Sequence, residues 1–255
     1  MHSTLDSEIL LKVKDLRIFF ELEHFAHKGI RDVFVDAFSH PIEYLFRRRE
    51  LLYVIDGVSL EIYQGMRLGI VGTNGSGKTT LCRAIAGMIT AQAGSVSTTA
   101  EVRAIFDTGT GVIQELTGRE NAYLLARLLF PKIANLSAIV EEAIEFSELG
   151  HFIDVPFCNY SKGMQSRLIL SLISSVPTDV LLLDEVLDGA DIFFQKKIAQ
   201  RMESFIKASG ATIFVSHSYD QIKQVCTSLV VLHKGRIHFQ GSVEEGWDVY
   251  QKLNS

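Results

Sequence analysis

The chain has 255 residues, 47% of them hydrophobic and 22% charged, the composition of an ordinary globular protein and not of a chain too polar to bury a core. That length fits one large α/β domain, or one domain with an appended subdomain, while two unrelated domains would be a tight fit. A net charge of −5 and a pI near 5.9 argue against the broad basic face that nonspecific nucleic-acid binding needs, so no nucleic-acid partner is expected.

Cys82, Cys158 and Cys226 are odd in number and far apart, with no C-x-x-C pair, which reads as a reducing compartment without a metal or disulfide framework. The opening MHSTLDSEIL has neither a basic nor an apolar leader region, so no export signal is expected. Apolar runs such as Val180–Leu183 are strand-sized, well short of the roughly 20 residues a spanning helix needs. Any membrane partner is therefore expected to be a separate chain.

In chain order, an insertion over residues 24–50 carries Ile30, Val33, Phe34, Ala37 and Phe38 at helical spacing before Pro41 breaks the pattern. Ile42, Leu45 and Phe46 follow and run into Arg47, Arg48 and Arg49. A short β segment, LLYVIDGVSLEI, comes next. Apolar β-branched segments then alternate with helix-period ones: MRLGIVG before KTTLCRAIAGMI, DVLLLDE before FFQKKIAQRMESFIKA, and ATIFVSH before SYDQIKQVC. This alternation predicts an α/β fold with a buried, mostly parallel sheet. Residues 117–170 interrupt it with a helix-rich stretch ending in the turn-like run Asn159-Tyr160-Ser161-Lys162-Gly163. No repeat or low-complexity linker divides the chain, so residues 1–255 are read as a single domain with two insertions.

Gly72-Thr73-Asn74-Gly75-Ser76-Gly77-Lys78-Thr79, followed by Thr80, matches the phosphate loop G-x-x-x-x-G-K-[ST] between an apolar strand and a helix. Its glycines let backbone N–H groups converge on phosphate oxygens. Lys78 can reach the terminal phosphates, and the Thr79 hydroxyl can ligate Mg²⁺. Asp184 and Glu185 end a buried strand, where a parallel sheet delivers groups to a phosphate site: Asp184 for the metal, Glu185 to polarise the attacking water. His217 follows the next apolar strand and is placed toward the γ-phosphate. Ser161 and Gly163 open a further helix, an anion-binding arrangement.

In this order the four elements resemble an ABC ATPase: Walker A, a helical subdomain ending in an LSGGQ-like signature at Tyr160-Ser161-Lys162-Gly163-Met164-Gln165, Walker B with its glutamate, and the switch histidine. The resemblance covers residues from about 50 to about 240. The wording of Thr117-Gly118-Arg119-Glu120-Asn121, of Tyr160 to Met164, and of Asp184-Glu185-Val186-Leu187 up to Asp191 is similar to the polysaccharide, O-antigen and teichoic-acid exporters. That resemblance implies a P-loop fold with a small antiparallel β subdomain and a helical subdomain, and an ATPase using ATP and Mg²⁺. It also implies a head-to-tail dimer in which the signature of one copy faces the Walker A of the other, and a transmembrane permease through which a lipid-linked glycan passes. The expected location is peripheral, on the cytoplasmic face of the inner membrane. The 24–50 insertion resembles that subfamily's gate helix by position and character.

Three positions depart from the general family pattern. The usual Q-loop glutamine falls at Thr108, after Asp107, and Gln114 does not replace it. Lys162 stands where the signature has a small residue, either adding phosphate attraction or pointing to water. Tyr53 is the best match for the adenine-stacking aromatic. No C-terminal carbohydrate-binding β-sandwich is expected, since only a few residues follow Trp247 and Tyr250. Two competing readings are a soluble ABC ATPase acting on DNA or ribosomes and a catalytically inactive regulatory subunit. The first lacks the usual second cassette or coiled-coil arms, and intact Lys78, Asp184, Glu185 and His217 count against the second.

Overall fold

A computed structural model of the chain describes residues 8–22, 50–106, 111–184 and 192–254. Two sheets organise them. The first is antiparallel, in the order β2 (Glu50–Tyr63), β1 (Ile9–Leu22), β4 (Ala93–Thr98). The second has six strands in the order β5 (Val102–Ile105), β6 (Val180–Asp184), β7 (Ala211–Val215), β3 (Arg67–Gly72), β8 (Ser228–His233), β9 (Arg236–Gly241). Its first five strands run parallel, and β9 turns back antiparallel on β8. The fold is thus the α/β P-loop type with a small antiparallel sheet. The segment around Tyr53 is longer than expected, a 14-residue strand paired along most of β1.

Every residue of VLLLD in β6 and ATIFV in β7 is buried, which is why these strands read as continuous apolar runs with no polar alternation. Alternate residues serve two cores. Leu68, Ile70, Val180, Leu182, Ile213 and Val215 face the antiparallel sheet and α1 (Lys78–Ile85). Val71, Leu181, Leu183 and Phe214 face the remaining helices.

The helix-period pattern predicts α1 to run on to about Ile89, but it stops at Ile85. Gly87 takes φ 73, its N–H bonds to the Ala84 carbonyl, and the Met88 N–H bonds to the Arg83 carbonyl. This paired closure is a Schellman motif, and glycine supplies the left-handed residue it needs.

Residues 118–173 hold α2 (Gly118–Leu129), α3 (Ser137–Ser147), two short 3₁₀ turns and α4 (Lys162–Ile173). The Thr117 to Asn121 block closes this unit. Thr117 caps α2 by accepting from the Glu120 N–H, and the Glu120 carboxylate bonds back to the Thr117 N–H at 2.8 Å, a reciprocal capping box. Arg119 bridges Asp154 at 2.9 Å and Glu141 at 3.0 Å. Asn121 is fully buried; its amide donates to the carbonyls of Ile113, Leu116 and Thr117 and accepts from the Ile113 N–H, tying the preceding loop to the helix.

α5 (Ile192–Ala208) joins this unit to the sheet through Arg201, whose guanidinium makes a two-pronged bond to Glu142 and also donates to Ser174 Oγ, at 2.8 Å, and to the Ser171 carbonyl. α6 (Tyr219–Val225) and α7 (Val243–Asn254) complete the described chain.

Candidate active site

The parallel register brings the expected groups to one sheet edge. Asp184 on β6 pairs with Val215 on β7, and Val215 pairs with Ile70 on β3. Gly72 opens the phosphate loop two residues beyond Ile70, and His217 lies two residues beyond Val215. All three therefore emerge at the carboxyl ends of adjacent parallel strands, where open α/β sheets bind their ligands.

The loop from Gly72 to Thr79 is built by exclusion. A Cβ on Gly72 would stand 2.2 Å from the Leu232 carbonyl oxygen, and one on Gly77 would stand 2.6 Å from the Val54 carbonyl oxygen. Gly75 and Gly77 also take φ 75 and 102, a region costly to other residues. The turn between β8 and β9 straps the loop from behind: the Gly235 N–H donates to the Ser76 carbonyl, and the Asp56 N–H of β2 donates to the Gly235 carbonyl.

Within the cradle, Lys78 is buried and its Nζ donates to the Gly72 carbonyl at 2.9 Å. The Ser76 hydroxyl is buried with no hydrogen-bond partner among the described residues, a polar group such a site does not leave unused. Thr79 is exposed at the start of α1, with Thr80 beside it half-buried, and Asn74 and Gly75 form the exposed crest.

Cys82, one turn into α1, reports how close the two motifs are. Burial pushes its thiol well up; the Asp184 carboxylate adds to the rise and the Lys78 ammonium opposes it. Asp184 is itself buried. The phosphate-loop lysine and the strand-end aspartate are thus both within electrostatic reach of the Cys82 sulfur. Among the described residues no group of three His, Cys, Asp or Glu side chains could hold a metal ion.

Tyr53 is exposed and lies next to Val54, whose carbonyl packs against Gly77. Its ring centroid is 5.2 Å from that of Phe19 on β1, a neighbour that sequence reasoning did not find, because only strand pairing places 19 beside 53. His217 is exposed, with Nδ1 3.1 Å from the Tyr250 hydroxyl; no motif links these positions.

Ser161 and Gly163 sit apart from this edge, on the helical unit. Ser161 caps α4 by accepting from the Met164 N–H, and Lys162 is exposed in the first turn. Glu185, the residues Val186, Leu187 and Asp191, Asp107 with Thr108, and the insertion at 24–49 lie outside the described residues.

A buried glycine-lined loop at a strand-to-helix junction, converging with a strand-end carboxylate, defines a P-loop nucleotide-binding protein. The ABC transporter family profile matches residues 55–188. The O-antigen export system ATP-binding protein RfbB of Klebsiella pneumoniae is 37% identical over 235 residues, 91% of this chain and 94% of that protein. The teichoic acids export ATP-binding protein TagH of Enterococcus faecalis is 39% identical over 193 residues, 75% of this chain and 43% of its own length.

Among solved structures, a dimeric ATP-binding cassette in a post-hydrolysis state bound to ADP and Pi superposes with a TM-score of 0.68 at 16% identity, covering 92% of this chain and 99% of that one. A nucleotide-free cassette from an ABC transporter gives 0.62 at 19%, covering 96% of each chain. The chain belongs to the ABC transporter family and is an ATPase of that family.

Proposed function

We propose that this ATPase is the energy-converting subunit of an exporter that moves a lipid-linked polysaccharide, of O-antigen, capsule or teichoic-acid type, from the cytoplasmic face of the membrane. What supports the hydrolytic part is the strand register that brings Asp184, the phosphate loop and His217 to the carboxyl ends of adjacent parallel strands. The cargo rests on the resemblance to RfbB along nearly the whole chain.

In this reading the loop N–H groups and Lys78 hold the β- and γ-phosphates of ATP, and Tyr53 stacks on adenine. Thr79 and Asp184 would hold Mg²⁺, which when bound neutralises phosphate charge. Glu185 accepts a proton from water as its oxygen attacks the γ-phosphorus and the bond to the β-phosphate oxygen breaks, giving ADP and phosphate. His217 donates to the γ-phosphate.

Two copies are needed, and Gly163 supports this. A Cβ there would meet nothing nearer than the Ser161 hydroxyl at 3.9 Å, so nothing within the described chain requires glycine in this helix, where it costs about 0.5–1 kcal/mol relative to alanine. In this reading the open space over Gly163 admits a nucleotide carried by a second copy, which approaches Ser161 and Gly163. No helix among the described residues is long and apolar enough to cross a membrane, so the transmembrane path belongs to a permease. A cleft of about 410 Å³ lined by Met88, Phe106, Leu125 and Leu128, with Met88 and Leu128 both 61% exposed, offers that partner an apolar seat.

The test compares variants. Glu185→Gln keeps ATP affinity and loses turnover by roughly 10²–10⁴, whereas Lys78→Ala loses affinity; parental turnover in Glu185→Gln would overturn the hydrolytic assignment. The 24–50 insertion is read as a membrane-proximal element, its apolar stripe running into three cations that suit anionic headgroups. Changing Arg47, Arg48 and Arg49 to Glu should leave ATPase activity near parental and impair export, and unchanged export would remove that role.

A further inference from the structure

We infer that Tyr250 is a positioning residue for His217, its hydroxyl setting the tautomer and direction of the imidazole; this rests on the reading of His217 as the group that donates to the γ-phosphate. The backbone around His217 is clasped on both sides. The buried Ser216 hydroxyl donates to the Gln221 side chain at 2.6 Å and accepts from the Ser218 N–H at 3.0 Å, and Ser218 caps α6. These bonds fix the main chain and do not themselves reach the imidazole.

The ring is held instead from α7. Tyr250 is 8% exposed, and its hydroxyl lies 3.1 Å from His217 Nδ1. A buried tyrosine hydroxyl needs a partner, and among the described residues that partner is the histidine. The tyrosine is itself anchored. Its ring centroid is 5.1 Å from Trp247, and Trp247 is 5.1 Å from Tyr219, the first residue of α6. The contacts form a closed circuit from His217 through the chain to Tyr219, across to Trp247, along one turn of α7 to Tyr250 and back.

A neutral imidazole carries one donor and one acceptor nitrogen. If Nε2 is to donate to a phosphate oxygen, Nδ1 must accept, and the tyrosine O–H is the donor that satisfies it. The opposite tautomer would turn the Nε2 lone pair toward an anionic oxygen. The tyrosine hydroxyl could also accept from Nδ1–H, but a phenol O–H donates to the more basic imidazole nitrogen more readily than it accepts from it. That sense of the bond favours the ring state the chemistry uses, from a position 33 residues further along the chain.

The test is Tyr250→Phe, with Tyr219→Phe as a control that removes a hydroxyl from the same aromatic group without touching His217. Two readouts are taken on the full chain: kcat and KM for ATP, and the ring nitrogen resonances of His217 in long-range ¹H–¹⁵N spectra, assigned by their disappearance in His217→Ala. Tyr250→Phe is expected to lower kcat about 3- to 10-fold, the worth of one hydrogen bond, with KM unchanged, and to move the Nδ1 resonance; Tyr219→Phe should match the parent in both.

A parental kcat or an unmoved Nδ1 resonance in folded Tyr250→Phe would overturn the proposal. Should that variant not fold, 3,5-difluorotyrosine at 250 keeps a hydroxyl in place but makes it far more acidic, so spectra are taken where it is protonated and where it is ionised, and an Nδ1 resonance that responds to neither overturns it equally. The two readings separate, because full activity in His217→Ala would sink the sensor role of His217, while the spectra report its contact with Tyr250 directly.

Discussion

Gly77 lies in the phosphate loop and Gly163 in the helix proposed to face a partner's nucleotide, and their surroundings differ. At Gly77 the chain's own packing forbids a side chain: φ is 102 and the Val54 carbonyl occupies the place of a Cβ. At Gly163 the helix is regular and the space is open. The phosphate loop is therefore complete as a shape within one chain, whereas the start of the signature helix presents an open surface, and in the proposed dimer it is the partner's nucleotide that would fill the space. The helical unit bearing that surface is held by side chains, through Asn121, the capping box and Arg201, where the loop is held by backbone.

The largest effect on this contrast should come from Gly77→Ala. Left-handed strain costs of order 1–3 kcal/mol, a Cβ 2.6 Å from a carbonyl adds to it, and ATP binding should be lost together with stability in a urea titration. Asn121→Ala is next. It leaves the carbonyls of Ile113, Leu116 and Thr117 short of a buried partner, for a loss of about 2 kcal/mol, with ATP affinity near parental because the phosphate loop is untouched.

A smaller effect is set by pH. The bonds from Arg201 hold the Glu142 carboxyl below the usual range. A carboxyl with a depressed folded pKa contributes stability above its unfolded value of about 4.3 and loses it as pH falls further. Arg201→Met should therefore flatten the fall in thermal midpoint between pH 5 and 3 (on the order of a few degrees), and an identical fall in the variant would contradict it. Least for stability is Gly163→Ala, which should hold or gain up to about 0.5–1 kcal/mol in thermal unfolding while weakening ATP-driven self-association by sedimentation.

The core site was legible because its motifs are local: a continuous apolar run ending in Asp184, and a glycine string between strand and helix, each state their geometry in a few residues. The helical unit was legible as a composition, and its signature block through resemblance, but the reason for Thr117 to Asn121 lay in bonds to a loop and to Asp154 and Glu141 that no spacing reveals. Gly118 is the sharpest case: a Cβ there would stand 2.0 Å from the Tyr160 hydroxyl, so the second residue of one motif is fixed by the first residue of another across 42 positions. Phe19 and Tyr250 escaped for the same reason, because strand pairing and helix docking bring them to the site. The end of α1 was misjudged where periodicity continued past Gly87 and turn chemistry prevailed.

In the proposed dimer two copies complete each other, the signature of one serving the phosphate loop of its partner. Mixing a Ser161→Arg chain with a Glu185→Gln chain tests it most directly, with heterodimer formation confirmed by differential tags. Each parent should be nearly inactive alone. In the mixed dimer one site keeps both the native signature and the native glutamate, so the account predicts that ATP hydrolysis returns, in proportion to the heterodimer fraction. A confirmed heterodimer as inactive as its parents would contradict it.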